Sequence, residues 1–238
     1  IARDKLLIMK DISKLEEILK VKFKHPDMLK QALTHRSYLN EHPSLKMEHN
    51  ERLEFLGDAV LELIVTENLY ENYPANPEGE MTNWRAALVN AKMLSEIGNE
   101  LSLDDFLFLS RGEAKDKNQK ARGYIIANAM EAVIGAIYLD LGWDTAKKFI
   151  IKNVLSKLPD ILKHKLYIDA KSRFQEMAQD KVGVTPSYQV ISESGPDHNK
   201  KFIIGVYLEE ELVAQGTGTS KQEAQMDAAE KGLEVKGW

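Results

Sequence analysis

The stretch NERLEFLGDAVLELIVTENLYENY, residues 50–73, decides the reading of this chain. Its apolar residues return at the helical period, which predicts one long helix. Each helical residue advances about 100°. With Glu51 set at zero, Glu54 falls near −60°, Asp58 near −20° and Glu62 near +20°, so four acids share an arc of about 80°. Leu53, Leu56, Val60 and Leu63 are expected to cover the opposite side, with Leu61 and Phe55 flanking the acids. No lysine stands four residues after Glu54 or Asp58 to neutralise them within the helix.

A second helix is predicted over YIIANAMEAVIGAIYLDLG, residues 124–142, and it is apolar almost all round. Asn128 and Glu131, three residues apart, are its mid-helix polar residues and share one face. An uncompensated carboxylate there costs several kcal/mol or takes up a proton. The two helices are therefore expected to share a cation, and oxygen ligands without His or Cys suggest Mg²⁺, or Mn²⁺ in its place. Spacing alone leaves a solvated acidic face open as the alternative; the apolar surroundings of Glu131 favour the cation.

Further helices are predicted in KLEEILKVKF (14–23), HPDMLKQALTHRSYLNEH (25–42) and EGEMTNWRAALVNAKMLSEIGNEL (78–101), with breaks at Pro43, Pro74, Pro77 and Gly142. GEAKDKNQKARG (112–123) reads as a polar loop. After LPDILKHKLYID the period changes. DAKSRFQEMAQDK (169–181) is helical with Asp169 as N-cap, SYQVISE, KFIIGVYLE and ELVAQGTG alternate as strands, and SKQEAQMDAAEKGLEV is a helix capped by Ser220. The expected chain is multidomain: an all-α domain over 1–160, a linker at 161–168, and a small α+β domain of order α-β-β-β-α over 169–238.

With 238 residues, 43% of them hydrophobic, the chain can bury one large core or two ordinary ones. It has no cysteine, which excludes disulfides and thiolate metal sites and suits a reducing compartment. No segment reads as apolar and long enough to span a membrane or to serve as a signal segment, so the expectation is a soluble, cytoplasmic protein without a membrane partner. Ile1 stands where translation would place Met, so the native N-terminus is expected upstream. The net charge of −5 argues mildly against a nucleic-acid partner, and residues 169–238 carry eight Lys/Arg against twelve Asp/Glu. Any RNA binding there must come from local clustering of cations.

The segment ERLEFLGDA (51–59) closely resembles the signature of the bacterial ribonuclease III family, ALTHRSYLNE (32–41) resembles the segment before it, and ANAMEAVIGAIYLD (127–140) resembles the family's second catalytic helix. The tail resembles a double-stranded-RNA-binding domain. The resemblance implies a hydrolytic endonuclease for double-stranded RNA, active in RNA processing, with a divalent metal, no organic cofactor, a homodimeric assembly, and 5′-phosphate and 3′-hydroxyl products. It places Glu54, Asp58, Asn128 and Glu131 as metal ligands, with Asp58 and Glu131 as catalytic acids. It makes Glu51 and Glu80 supporting acids, and Phe55 an aromatic that inserts into a socket on a second subunit. At position 128 the family normally carries Asp. The amide of Asn128 can coordinate a hard cation but brings no charge, which admits a second reading: an RNA-binding protein with impaired or lost cleavage.

For the tail, the resemblance implies three RNA contacts: Gln175 and Gln179 in one minor groove, His198 in the next, and Lys221 on the phosphates between, assisted by Lys200 and Lys201. The family's last helix usually opens with two or more basic residues; here Gln222 follows Lys221. Phe174, Phe202, Ile204, Val206, Ala224 and Ala228 read as core, and His35, Ser37 and Tyr38 as packing and helix-connection residues.

Overall fold

Two long helices organise the first part of the computed structural model, which describes residues 11–196 and 200–238: α4 (Glu51–Asn72) and α9 (Gln119–Leu141). They make the most extensive contact between any two helices. α9 starts at Asn118, whose side chain accepts hydrogen bonds from the backbone N–H groups of Lys120 and Ala121, and stops at Gly142, where φ is +85°. Its buried residues, from Ile126 through Ile137, lie on every side, because α2 (Pro26–Ala32), α4, α6 (Ala91–Glu100) and α10 (Trp143–Asn153) surround it. Over its length α9 is in fact apolar and long enough to cross a membrane, contrary to the sequence expectation. A helix at the centre of a core passes the same test, since it must be apolar all round.

The remaining helices of this part are α1 (Ile12–Leu19), α3 (Arg36–Glu41), α5 (Glu78–Val89), α7 (Leu103–Phe106), α8 (Arg111–Lys115) and α11 (Leu158–Lys163). The prolines act as expected: α3 ends before Pro43, α4 before Pro74, and Pro77 is the N-cap of α5. The expected polar loop at 112–123 is mostly helical. Ser110 caps α8 by accepting from the N–H of Glu113, and the first turn of α9 takes residues 119–123, fixed by Arg122 Nε donating to Asp104 Oδ1 at 2.6 Å. Caps and an ion pair hold helices there that hydrophobic periodicity does not announce.

Contacts divide the chain after His164. α11 runs to Lys163, because Ile161 is buried, so the first three residues of the expected linker are helical. In the second part, β1 (Ser187–Ser194), β2 (Lys201–Leu208) and β3 (Glu211–Gly218) form an antiparallel sheet in that order, and α12 (Ala170–Val182) and α13 (Lys221–Lys236) pack together, with α13 on β2 and β3. Phe174, Phe202, Ile204, Val206, Ala224 and Ala228 are all buried. Asp169 and Ser220 cap the two helices through their side chains.

α4 and α9 cross at two glycines. A Cβ added to Gly57 would lie 1.8 Å from the carbonyl oxygen of Glu131, and one added to Gly135 would lie 2.3 Å from that of Leu53. Both obstacles are backbone, so neither can move aside. Gly57→Ala is therefore expected to destabilise the helical domain by at least about 3 kcal/mol. Gly79→Ala in α5, where nothing lies within 4 Å, should stabilise it by about 0.5–1 kcal/mol. Thermal melting followed by circular dichroism distinguishes the two.

Candidate active site and RNA interface

The glycine crossing sets the site. On α4, Glu54 and Asp58 bracket Gly57; on α9, Glu131 stands one turn before Gly135, and Asn128 lies on the same face one turn further back. Glu131 is held half-buried, and burial together with the charges of Asp58, Glu54 and Glu62 raises its pKa to about 8. The Glu54 carboxyl is also pushed up, first by burial and then by Glu51 and Asp58. The shifts of Glu131 and Glu54 thus come from burial and from neighbouring carboxylates, with no cation among their causes. Among the described residues no three acidic or histidine side chains close into an assembled ligand set. The donors are all hard oxygen atoms, the set suited to Mg²⁺ or Mn²⁺.

Glu51 stands apart from the centre. Its carboxylate is exposed, 3.5 Å from Arg36 Nη1 and 3.9 Å from His49 Nδ1, so it ties the start of α4 to α3 while still raising Glu54. Glu80 is not brought into the cluster: it is exposed on the first turn of α5, accepts a hydrogen bond from Asn76 Nδ2 at 2.8 Å, and is not among the charges acting on Glu131 or Glu54. His35 bonds Ser37 Oγ at 2.8 Å, and Ser37 Oγ accepts from the Ser110 N–H, which is loop-connecting chemistry.

The buried face of α4 is rotated from the one the sequence suggests. Leu61 is fully buried, while Leu63 is 58% exposed. The reason is the glycine seam: Gly57 and Leu53 face α9, which turns Phe55, Leu63 and Tyr70 outward together. Phe55 is 81% exposed, so nothing within the described part of this chain covers it. Beside the stripe, Thr66, Leu69, Tyr70, Glu78, Met81, Thr82 and Arg85 line a cavity of about 300 Å³ between α4 and α5. Sequence reading missed this cavity; the helical spacing of Thr66, Leu69 and Tyr70 was its available signal.

In the second domain Gln175 and Gln179 are exposed one turn apart on α12, and Lys221 is exposed at the first position of α13, its Nζ 5.9 Å from the centre of the Phe202 ring. Lys201 is exposed, and Lys200 Nζ lies 2.6 Å from Glu193 Oε1, a partner set by strand register and not by spacing along the chain. His198 lies outside the described residues.

Residues 25–158 match the family model of ribonuclease-III-like domains, and residues 170–236 that of the double-stranded RNA binding motif. Among curated proteins, Ribonuclease 3 of Carboxydothermus hydrogenoformans is 44% identical over 93% of this chain and 94% of its own length, and that of Bdellovibrio bacteriovorus 42% identical over 93% and 94%. A solved ribonuclease III nuclease domain from Campylobacter jejuni, described for flexibility in a region involved in dimer formation, superimposes with a TM-score of 0.54 at 39% identity, covering 63% of this chain and 99% of that one. Glycine crossing, acid cluster and C-terminal α-β-β-β-α domain thus occur together in one chain, and this chain belongs to the ribonuclease III family, with a nuclease domain followed by a double-stranded-RNA-binding domain.

Proposed function

We propose that this chain is a divalent-metal-dependent endoribonuclease that cuts double-stranded RNA to 5′-phosphate and 3′-hydroxyl ends, working as a homodimer in cytoplasmic RNA processing. The observation that carries this reading is Glu131, a carboxylate half-buried in the central apolar helix, facing Glu54 and Asp58 with its pKa raised to about 8. Such an arrangement is unfavourable for folding and gains its use only where a cation is to be held. Glu54, Asp58 and Glu131 would hold Mg²⁺, with Mn²⁺ able to replace it, and Asn128 would add an uncharged amide oxygen. When bound, the metal supplies Lewis-acid stabilisation to the attacked phosphodiester and its leaving 3′-oxygen. Asp58 and Glu131 position the attacking water in line with that bond, while Gln175, Gln179, Lys201 and Lys221 carry the duplex.

The exposed Phe55, Leu63 and Tyr70 stripe supports the dimer. A second copy would bury Phe55 in the cavity beside Tyr70, with Glu51 and Arg36 bracing the edge, and would bring two sites to one duplex, one per strand. Asn128 supports a second reading, RNA binding without cleavage, because it removes one negative charge from the ligand set.

Incubation of the protein and its Asn128→Asp variant with a long RNA duplex and Mg²⁺ separates the readings. Cleavage by both is expected, with the variant working at a Mg²⁺ concentration lower by about tenfold or more; Glu131→Gln should cut nothing. Duplex binding with no cutting by either form would sink the nuclease reading. Phe55→Ala should shift sedimentation from dimer to monomer, as loss of a buried aromatic anchor costs about 2 kcal/mol or more.

The raised pKa of Glu131 gives a signed pH dependence. Below its ordinary value near 4.5 the carboxyl is protonated folded and unfolded, and imposes no penalty. Between 4.5 and about 8 the unfolded chain releases a proton that the folded chain keeps, so stability falls as pH rises. Without divalent cations the melting temperature of the nuclease domain is expected to drop across this window. Mg²⁺ should restore it at the alkaline end, and Glu131→Gln should flatten it.

A further inference from the structure

The RNA-binding domain carries more acids than bases, so its grip on a polyanion depends on the few cations at one end of the sheet. Across the antiparallel ladder Glu193 of β1 faces Phe202 of β2, and Ser194 faces Lys201. Phe202 in turn faces Gly218, just before the cap of α13, and the Lys221 ammonium lies over the Phe202 ring. Lys200 and Lys221 therefore stand beside one carboxylate, while Lys201, opposite Ser194, belongs to the other face of the ladder. Lys200 Nζ is 2.6 Å from Glu193 Oε1, with both side chains only about one-third exposed (36% and 39%). The Lys200 hydrogen bond, followed by the charges of Lys200 and Lys221, holds the Glu193 carboxyl below its ordinary range despite some desolvation.

We propose that Glu193 sets the RNA affinity of this domain: its carboxylate occupies Lys200 and faces Lys221, so that a phosphate entering this surface must replace it. This rests on the double-stranded-RNA reading given above. The embedded carboxylate offsets one positive charge of this surface, and RNA docking exchanges an ion pair for another ion pair. A domain weakened in this way holds a short duplex poorly. It holds a long one well only when two copies grip it together, because linked sites multiply their affinities. Glu193 thus biases the enzyme toward long duplexes.

The test uses the full-length protein and fluorescence anisotropy on an RNA duplex, with Ca²⁺ in place of Mg²⁺ so that binding is read without cutting. Glu193→Gln keeps the shape of the side chain and should tighten binding about two- to fivefold, the range for removing one carboxylate from a partly exposed ion pair. It should also steepen the dependence of log affinity on log salt by up to about one, a change that a purely structural role would not produce. Lys200→Met should weaken binding more in the Glu193→Gln background than in the wild type, because there the Glu193 carboxylate no longer competes with phosphate for its ammonium. Glu211→Gln is the control for bulk charge: Glu211 pairs with Lys236 at 2.9 Å, at the opposite end of the sheet, and its loss should leave affinity unchanged. Wild-type binding with no change in affinity or slope in Glu193→Gln overturns the proposal and leaves the RNA reading intact, as does equal tightening by Glu211→Gln. Failure of the wild type to bind duplex overturns both.

Discussion

The contact on which the nuclease domain depends is backbone against backbone, where Gly57 lies on the carbonyl of Glu131 and Gly135 on that of Leu53. Helices ordinarily cross with side chains between them, at about 8–10 Å. Here two missing side chains let the helices approach closely enough for the acids beside the glycines to share one electrostatic environment. The same contact explains the rise in the Glu131 pKa, the burial of Leu61 and the outward turn of Phe55. A helix rotated to bury glycine on one side must expose whatever lies opposite. Site and candidate dimer surface are therefore two faces of one packing decision.

Much of this was legible in the sequence. The acid spacing in ERLEFLGDA and the lone Asn128 and Glu131 in an apolar helix follow from periodicity, and the structure places both pairs at the crossing. Periodicity also located the three strands and the two capped helices of the tail. What it could not give was rotation. Angles measured on one helix fix which residues share a face, but not which face meets a neighbour, so Leu63 was expected inside. Short helices held by caps and ion pairs, such as α8, carry too few apolar residues to show a period. Glu80 had the right residue type in a suggestive motif, yet its partner is Asn76, four residues away. The pairing of Glu193 with Lys200 crosses a hairpin and depends on strand register, which a bulge between Val190 and Ser192 shifts.

The two domains meet the same problem from opposite sides. The first gathers carboxylates at the helix crossing, where burial and neighbouring acids raise Glu131 and Glu54. The second gathers positive charge in an otherwise acidic setting and tempers it with a carboxylate. Both carry these charges on rigid elements: the acids on two crossed helices, and the lysines at a strand end and a helix start. Neither domain owes its electrostatics to net composition, which for the whole chain points away from nucleic acid.

Asn128 lies in line with Glu131 on the buried helix and brings an uncharged amide to the face that carries that carboxylate. Asparagine and aspartate differ by a single first-position base in their codons. The structure that holds either residue is already built, because the face of α9 at this position is fixed by the glycines and not by the side chain itself. The charge carried at this position is therefore one transition away in the gene, in either direction. A lineage carrying this chain can add or remove a carboxylate beside Glu131 in one mutational step while the glycine crossing stays as it is.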